Sequence, residues 1–170
     1  FSPDKTIFLG ELSLDGALRP ISGALSVAIL ARDEGIREIF LPAENASEAA
    51  LIHDLRIYPV STLAELIAHL SGGEEILPQK PTPFIPSFPY SSHSLSHIRG
   101  LKAAKRALLV AAAGGHHLFL SGPPGTGKTM LAESMRSLLP PPTLEESIEI
   151  TRIYSSAGSL GKSPVLAHRP

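Results

Sequence analysis

Eight consecutive residues, 122–129, have the types and spacing of a loop that binds phosphate. They read GPPGTGKT and fit the pattern G-x-x-x-x-G-K-[ST] at every fixed position. The three glycines can adopt positive φ angles and leave room for phosphate oxygens beside the main chain. The lysine can reach the β- and γ-phosphates, and the last hydroxyl can be a ligand of Mg²⁺. The pattern predicts a site for ATP and Mg²⁺ at Gly122, Pro123, Pro124, Gly125, Thr126, Gly127, Lys128 and Thr129, with Thr129 on the metal.

The segments on either side of this loop have the patterns that such a site needs. The sequence HHLFLSG (116–122) predicts a buried strand before the loop, and KTMLAESMRSLL (128–139) predicts a helix after it. A helix that begins at the loop adds the positive end of its dipole to the phosphate site. A further helix is predicted over 100–113, ending at Gly114 and Gly115.

Hydrolysis of a nucleotide requires more than a phosphate loop. It needs an acidic strand end that holds Mg²⁺, a residue that orients water and, in most cases, an arginine. No apolar strand ending in Asp-Glu follows the loop, and the acids there are expected on helix surfaces or caps: Glu133, Glu145, Glu146 and Glu149. We therefore expect nucleotide binding without meaningful hydrolysis, and no catalytic residue is assigned.

The first block of the chain, residues 1–72, alternates strand patterns with helix patterns. Strands are predicted within 6–14, 37–42 and 55–60, and helices over 23–34, from Asn45 and from Thr62. Asp15-Gly16 is a hairpin turn, whereas Gly35 and the pair Gly72-Gly73 are placed to end helices. The helix starts rest on Asn45 with Glu48 and on Thr62 with Glu65, and the third helix has one apolar face: Leu63, Leu66, Ile67 and Leu70. The order predicts an α/β fold with parallel strands.

A proline-rich segment separates the two blocks. Five prolines fall between residues 78 and 89, and serine and histidine fill the next stretch. Such a composition is typical of a semi-rigid linker, although a surface loop within one domain has the same pattern. The predicted division is a first domain over 1–72, a linker over 73–96 and a second domain over 97–170, whose opening helix begins near 100 and whose last helix begins after Thr143.

The composition excludes several classes of protein. The 170 residues carry a net charge of −1 and no cysteine, so thiolate metal sites are absent and no whole-chain charge favours nucleic acid or a membrane. No apolar run approaches the length of a membrane span. His93 and His97 have H-x-x-x-H spacing without an intervening acid, and His116 is adjacent to His117, so neither pair predicts a metal site. The first residue, Phe1, and the final Arg-Pro indicate a fragment.

The second block resembles a known family. Residues 98–132, IRGLKAAKRALLVAAAGGHHLFLSGPPGTGKTMLA, are similar to the start of the magnesium-chelatase-type AAA+ ATPase module, and EESIEITRIYSSAG (145–158) continues the likeness. In that family the residues before the first helix help to form the adenine pocket. The resemblance implies this role for Ile98 and Arg99, although a hinge turn would have the same sequence.

The first block has a resemblance of its own. Residues 10–50 are similar to the later half of a Lon-type protease domain, a family with a catalytic Ser-Lys dyad. An ungapped comparison puts the family's lysine at Leu25, which cannot act as a base. The resemblance implies a Lon-like fold without protease chemistry.

The order of the two blocks resembles that of the ComM/YifB family. This resemblance implies a Lon-like α/β domain portion followed by the start of a P-loop AAA+ domain, within a cytoplasmic, homo-hexameric ATPase motor that binds ATP and acts on DNA. Two alternatives remain open: an ATPase subunit of a metal-insertion complex, and a nucleotide-responsive scaffold without turnover.

Overall fold

The computed structural model describes residues 3–87, 94–161 and 163–169. The chain folds into two compact units. The first consists of Phe1–Phe84 and Ile148–Leu166, and the second of Ile85–Ser147 and Ala167–Pro170. Of the residues considered for metal binding, His93 lies outside the described part of the chain.

The first unit is built on a three-stranded parallel sheet. Its strands are β1 (Thr6–Phe8), β4 (Glu38–Pro42) and β5 (Arg56–Val60), in the order β1-β4-β5. Strand β4 is central, and its Ile39 lies between Ile7 and Ile57 in register. Between β1 and β4 the chain forms an antiparallel hairpin of β2 (Glu11–Leu12) and β3 (Leu18–Arg19). The predicted parallel α/β fold is confirmed.

Three helices accompany this sheet, α1 (Ala24–Asp33), α2 (Ala43–Ala49) and α3 (Leu63–Leu70). The first and third end as predicted from their glycines. After α1, Gly35 has a φ of 72° and the Ile36 N–H donates to the Ala31 carbonyl. The capping box predicted at the start of α3 is also confirmed, because Thr62 accepts from the Glu65 N–H and the Glu65 carboxylate accepts from Thr62. These local signals therefore set the limits of the two helices.

The core of the first unit lies between the sheet and helices α1 and α2. Alanines dominate the buried faces of both helices, and Leu25 of α1 is buried with them. The strands contribute large aliphatic side chains to this core: Ile39, Leu41 and Ile57. Helix α3 covers the other face of β4 and β5 incompletely. Leu66 packs there, but Ile67 is 55% exposed, so the predicted apolar face of α3 is only partly buried.

The predicted helix start at Asn45 is wrong. Helix α2 begins at Ala43, its N-cap is Pro42, and Asn45 and Glu48 lie inside the helix. Asn45 is buried and forms two hydrogen bonds with the main chain of Ile21, both of 2.9 Å. A cap residue bonds to its own helix, whereas this side chain bonds to a segment that is distant in sequence.

The second unit contains α4 (Lys102–Gly114), α5 (Lys128–Met135) and the start of α6 (Leu144–Ser156). Helix α4 starts two residues later than predicted and ends at the expected glycines. Helix α5 is four residues shorter than predicted, since the chain forms turns over 136–138. Helix α6 begins with the predicted capping box of Thr143 and Glu146, and runs beyond the short helix expected there.

The strand predicted over 116–122 is wrong. These residues have no regular secondary structure, and Phe119 is 88% exposed. An apolar run becomes a buried strand only beside another strand, which satisfies its main-chain hydrogen bonds and covers its side chains. Within the described part of the second unit no strand is present to do so.

Part of the predicted linker is bound to the first unit. The Gln79 N–H donates to the Ile57 carbonyl, and Thr82 bonds with its N–H to Ala50 and with its hydroxyl to Ser47. The segment up to Phe84 thus extends the first unit. The predicted domain limits, 1–72, 73–96 and 97–170, stay a prediction. Ser91 and Ser92 of the predicted linker lie outside the described ranges.

Candidate nucleotide-binding site

The phosphate loop forms an irregular turn that leads directly into α5. Gly127 is the N-cap of this helix with a φ of 82°, and Gly125 has a φ of 79°. Both values lie in the left-handed region that favours glycine. The first four N–H groups of any helix have no partner within it, so those that open α5 are available to an anion at the loop.

The Lys128 side chain lies across this loop. Its Nζ atom donates to the Pro123 carbonyl oxygen at 2.6 Å and lies 3.4 Å from the Thr126 hydroxyl oxygen. That hydroxyl donates to the same carbonyl at 2.9 Å. The ammonium therefore lies within the loop that contains Gly122, Gly125 and Gly127.

The loop is accessible, and the helix behind it is anchored. Residues 121–126 and Thr129 are exposed, whereas Leu131 and Ser134 of α5 are buried. The Ser134 hydroxyl donates to the Leu131 carbonyl at 2.7 Å, which satisfies its buried oxygen. A ligand can therefore reach the loop without any rearrangement of the residues that hold α5.

The segment before α4 comes close to the phosphate loop. Leu101 is the N-cap of α4, and its Cδ1 atom would lie 3.4 Å from a Cβ placed on Gly127. Ile98 is buried, and its carbonyl accepts a hydrogen bond from the Lys105 ammonium. Arg99 is exposed. The structure thus brings the end of the 98–101 segment beside a loop more than twenty residues later in the chain.

Two features of this site have no clear signal in the sequence. Leu101 has a φ of 49°, and among the described residues no other non-glycine residue has a positive φ. Leucine rarely adopts that conformation, and the sequence placed Leu101 inside the helix predicted over 100–113. The second feature is the bond from Thr126 to Pro123, at two positions that the phosphate-loop pattern leaves open.

An ion pair lies elsewhere in the second unit. The Arg169 Nη2 atom lies 3.1 and 3.0 Å from the two carboxylate oxygens of Glu146, and its Nε donates to the Pro140 carbonyl. The hydrogen bond from the Thr143 N–H and the pair with Arg169 lower the pKa of Glu146 below its ordinary value. Through Arg169, the start of α6 is thus connected to the three prolines at 140–142.

The position that the Lon resemblance assigns to a lysine is apolar and enclosed. Leu25 is fully buried, and its N–H donates to the Glu48 carboxylate at 2.9 Å. The same carboxylate oxygen accepts from the Ser155 hydroxyl at 2.6 Å. Glu48 thus forms hydrogen bonds with the main chain of α1 and with a side chain at the end of α6. Among the described residues no group of three or more His, Cys, Asp or Glu side chains could hold a metal ion.

Two family descriptions and several curated proteins match this sequence. The family "Magnesium chelatase, subunit ChlI" matches residues 94–170, and "Subunit ChlI of Mg-chelatase" matches residues 2–45. Competence protein ComM of Haemophilus influenzae is 40% identical over 154 residues, which are 87% of this chain and 30% of that protein. The uncharacterized protein YifB of Escherichia coli is 40% identical over 152 residues, 89% of this chain and 29% of its own length.

A more distant match is to a protease. A Lon protease of Methanosarcina barkeri is 30% identical over 99 residues, which are 55% of this chain and 12% of that protein. Together with the parallel sheet, this match fits a Lon-like α/β portion combined with an AAA+ portion.

These matches define the class as magnesium-chelatase-like AAA+ ATPases. Within that class, the chain belongs to the ComM/YifB family. The chain spans only about 30% of the length of the ComM and YifB relatives that it matches. No helix in the described ranges is long and apolar enough to cross a membrane.

Proposed function

We propose that residues 122–129 bind the phosphates of Mg-ATP. Lys128 donates to the β- and γ-phosphates, and Thr129 supplies a hydroxyl ligand to Mg²⁺. The N–H groups of the loop and of the first turn of α5 surround the phosphate oxygens. Ile98 and Arg99, in the segment that ends beside the loop, contribute to the adenine pocket.

The position of the Lys128 ammonium carries this proposal. The ammonium lies over an exposed turn whose two left-handed glycines precede a helix, and it contacts only atoms of the loop itself in the hydrogen bonds described for it. A cation held this way is exchangeable, because a phosphate oxygen is a stronger acceptor than a neutral carbonyl. The chemistry that Mg²⁺ supplies when bound is charge neutralisation on the phosphates.

The whole protein is proposed to be a cytoplasmic ATPase motor that acts on DNA as a homo-hexamer. The Haemophilus influenzae relative is named a competence protein, which supports an action on DNA. A second candidate is an ATPase subunit of a metal-insertion complex, which the family description of magnesium chelatase favours. DNA-stimulated ATPase activity would support the first, and ATPase activity indifferent to DNA the second.

A thermal shift experiment tests the binding of nucleotide. Mg-ATP at about 100 times its Kd should stabilise the chain by about 2.7 kcal/mol, which corresponds to an increase of about 5–10 °C in the unfolding midpoint. Lys128→Ala should lose most of this increase, since it removes the cation that meets the phosphates. The same titration can be followed by differential scanning fluorimetry with an external dye.

Lys80→Ala is the matched control. Lys80 is an exposed lysine of the first unit, so its removal should leave the effect of Mg-ATP unchanged. Equal shifts in the wild type and Lys128→Ala would contradict the proposed site. Substantial turnover of ATP by this chain would contradict the expectation of binding without hydrolysis.

A further inference from the structure

One oxygen atom of the phosphate loop has two donors. The Pro123 carbonyl accepts from the Lys128 ammonium at 2.6 Å and from the Thr126 hydroxyl at 2.9 Å. The ammonium also donates to the Thr126 hydroxyl oxygen, at 3.4 Å. The loop therefore holds its lysine at an acceptor that a second, neutral donor already satisfies.

The Thr126 hydroxyl also bridges two residues of the loop. It bonds to the carbonyl three residues earlier, so it closes the turn over 123–126. Its oxygen would lie 3.5 Å from a Cβ placed on Gly122, which puts the hydroxyl against the first glycine of the motif. A turn closed in this way is already ordered before a ligand arrives, which lowers the entropy cost of binding.

The Thr126 hydroxyl matters most when the Lys128 ammonium moves towards a phosphate. When the ammonium leaves for a phosphate oxygen, the Pro123 carbonyl loses one donor while the ligand covers the loop. A carbonyl left without a donor and shielded from water costs free energy. With the hydroxyl still in place, the carbonyl keeps a partner and the turn keeps its shape.

We propose that Thr126 is a positioning residue for the nucleotide phosphates. Its hydroxyl holds the Pro123 carbonyl, so that Lys128 is free to donate to the ligand and the loop stays curved around it. This inference rests on the proposed function of the loop. It assigns a role to a position at which the G-x-x-x-x-G-K-[ST] pattern accepts any residue.

Calorimetric titration of the chain with Mg-ATP tests this role in three proteins: wild type, Thr126→Val and Thr126→Ser. Valine keeps the shape of threonine without the hydroxyl, and we expect its Kd to rise about 3- to 10-fold, the effect of one hydrogen bond. Serine keeps the hydroxyl, so its Kd should stay within about 2-fold of the wild type. Magnesium pyrophosphate, which has no base, should show the same ratios.

The unfolding midpoint without ligand separates positioning from stability. Thr126 is exposed, so Thr126→Val should melt within about 3 °C of the wild type. If the wild type binds and Thr126→Val has the same Kd, this inference alone is overturned. The same holds if the Kd of Thr126→Ser is as high as that of Thr126→Val. A wild type that binds neither ligand would overturn the proposed function, and this inference with it.

Discussion

At the scale of single residues, Glu48 is the charged side chain with the most consequence for the first unit. It is buried, and one of its carboxylate oxygens accepts from both the Leu25 N–H and the Ser155 hydroxyl. The hydroxyl oxygen of Ser155 in turn accepts from the Gly23 N–H at 3.1 Å. These bonds connect the start of α1 with α2 and with the end of α6.

Removal of this carboxylate should destabilise the first unit. In Glu48→Ala a buried N–H and a buried hydroxyl lose their acceptor, which should lower the free energy of unfolding by about 2–3 kcal/mol. Urea unfolding followed by circular dichroism measures the difference.

The control for this substitution lies one turn earlier on the same helix. Glu44 is exposed, so Glu44→Ala should change the free energy of unfolding by no more than about 0.5 kcal/mol. Similar losses in the two variants would show that the hydrogen bonds of Glu48 do not stabilise the unit.

The sequence predicts the hydrogen-bond partners of some residues and not those of others. Glu65 and Thr62 are three positions apart, and their mutual bonds follow from the local pattern. Asn45 bonds to Ile21, 24 positions away, and Glu48 to Ser155, 107 positions away. The local pattern at Asn45 and Glu48 resembles a helix start, and only the tertiary fold determines that both side chains bond elsewhere.

At the scale of elements, the start of α6 combines a capping box with an ion pair. Glu146 accepts from the Thr143 N–H at 2.9 Å and pairs with Arg169. The Thr143 hydrogen bond and then Arg169 lower the pKa of Glu146. A lowered pKa in the folded state means that the ionised carboxylate stabilises the fold above the pKa of the unfolded chain, about 4.3.

The contribution of Glu146 should therefore disappear in acid. Glu146→Gln keeps an acceptor for the Thr143 N–H but removes the charge, so it should be less stable than the wild type at pH 7. As the pH falls below about 4.3 and through the folded-state pKa, the wild-type carboxylate becomes neutral and the difference should narrow. Denaturant titrations between pH 3 and 7 measure it.

A second substitution on the same helix controls for general effects of charge. Glu149 is exposed, and at pH 7 Glu149→Gln should change the free energy of unfolding less than Glu146→Gln does. A Glu146→Gln difference that stays constant down to pH 3 would contradict the stabilising role of the ionised carboxylate.

Elements also show where an apolar pattern is insufficient. Helix α5 follows from its periodicity and from the glycine before it, because a helix makes its own main-chain hydrogen bonds. The segment at 116–120 has an equally clear strand pattern, yet Phe119 remains exposed. A strand depends on neighbours that the pattern cannot supply, so this prediction required information from outside the segment.

At the scale of the whole molecule, the chain consists of two compact units with different contents. The first contains all strands of the described chain, and the second contains the phosphate loop. The family of the chain was foreseeable from the order of its motifs. The assignment of residues 148–166 to the first unit was not, because it depends on the tertiary packing of α6 and the residues after it.

Hydrogen exchange should show that nucleotide binding affects the second unit and leaves the first unit unchanged. Mg-ATP should slow amide exchange over residues 125–131, because their N–H groups contact the phosphates or belong to the first turn of α5. The amides of β4 in the first unit, at Ile39–Leu41, should exchange at the same rate with and without ligand. Mass spectrometry of peptic peptides measures both regions in one experiment.

The variant Lys128→Ala provides the reference for this measurement. It should show little protection at the loop under the same conditions. Protection spread evenly over both units, or protection that persists in Lys128→Ala, would contradict a ligand held by residues 122–129.

The hydrogen bonds of Asn45 and Glu48 also bear on which substitutions the first unit tolerates. Both side chains bond to main-chain atoms, of Ile21 and of Leu25, and not to the side chains at those positions. A mutation at either position therefore leaves these bonds intact, provided that the new side chain fits the core. The network around Glu48 thus constrains the path of the main chain at position 25 and leaves the identity of its side chain to packing alone.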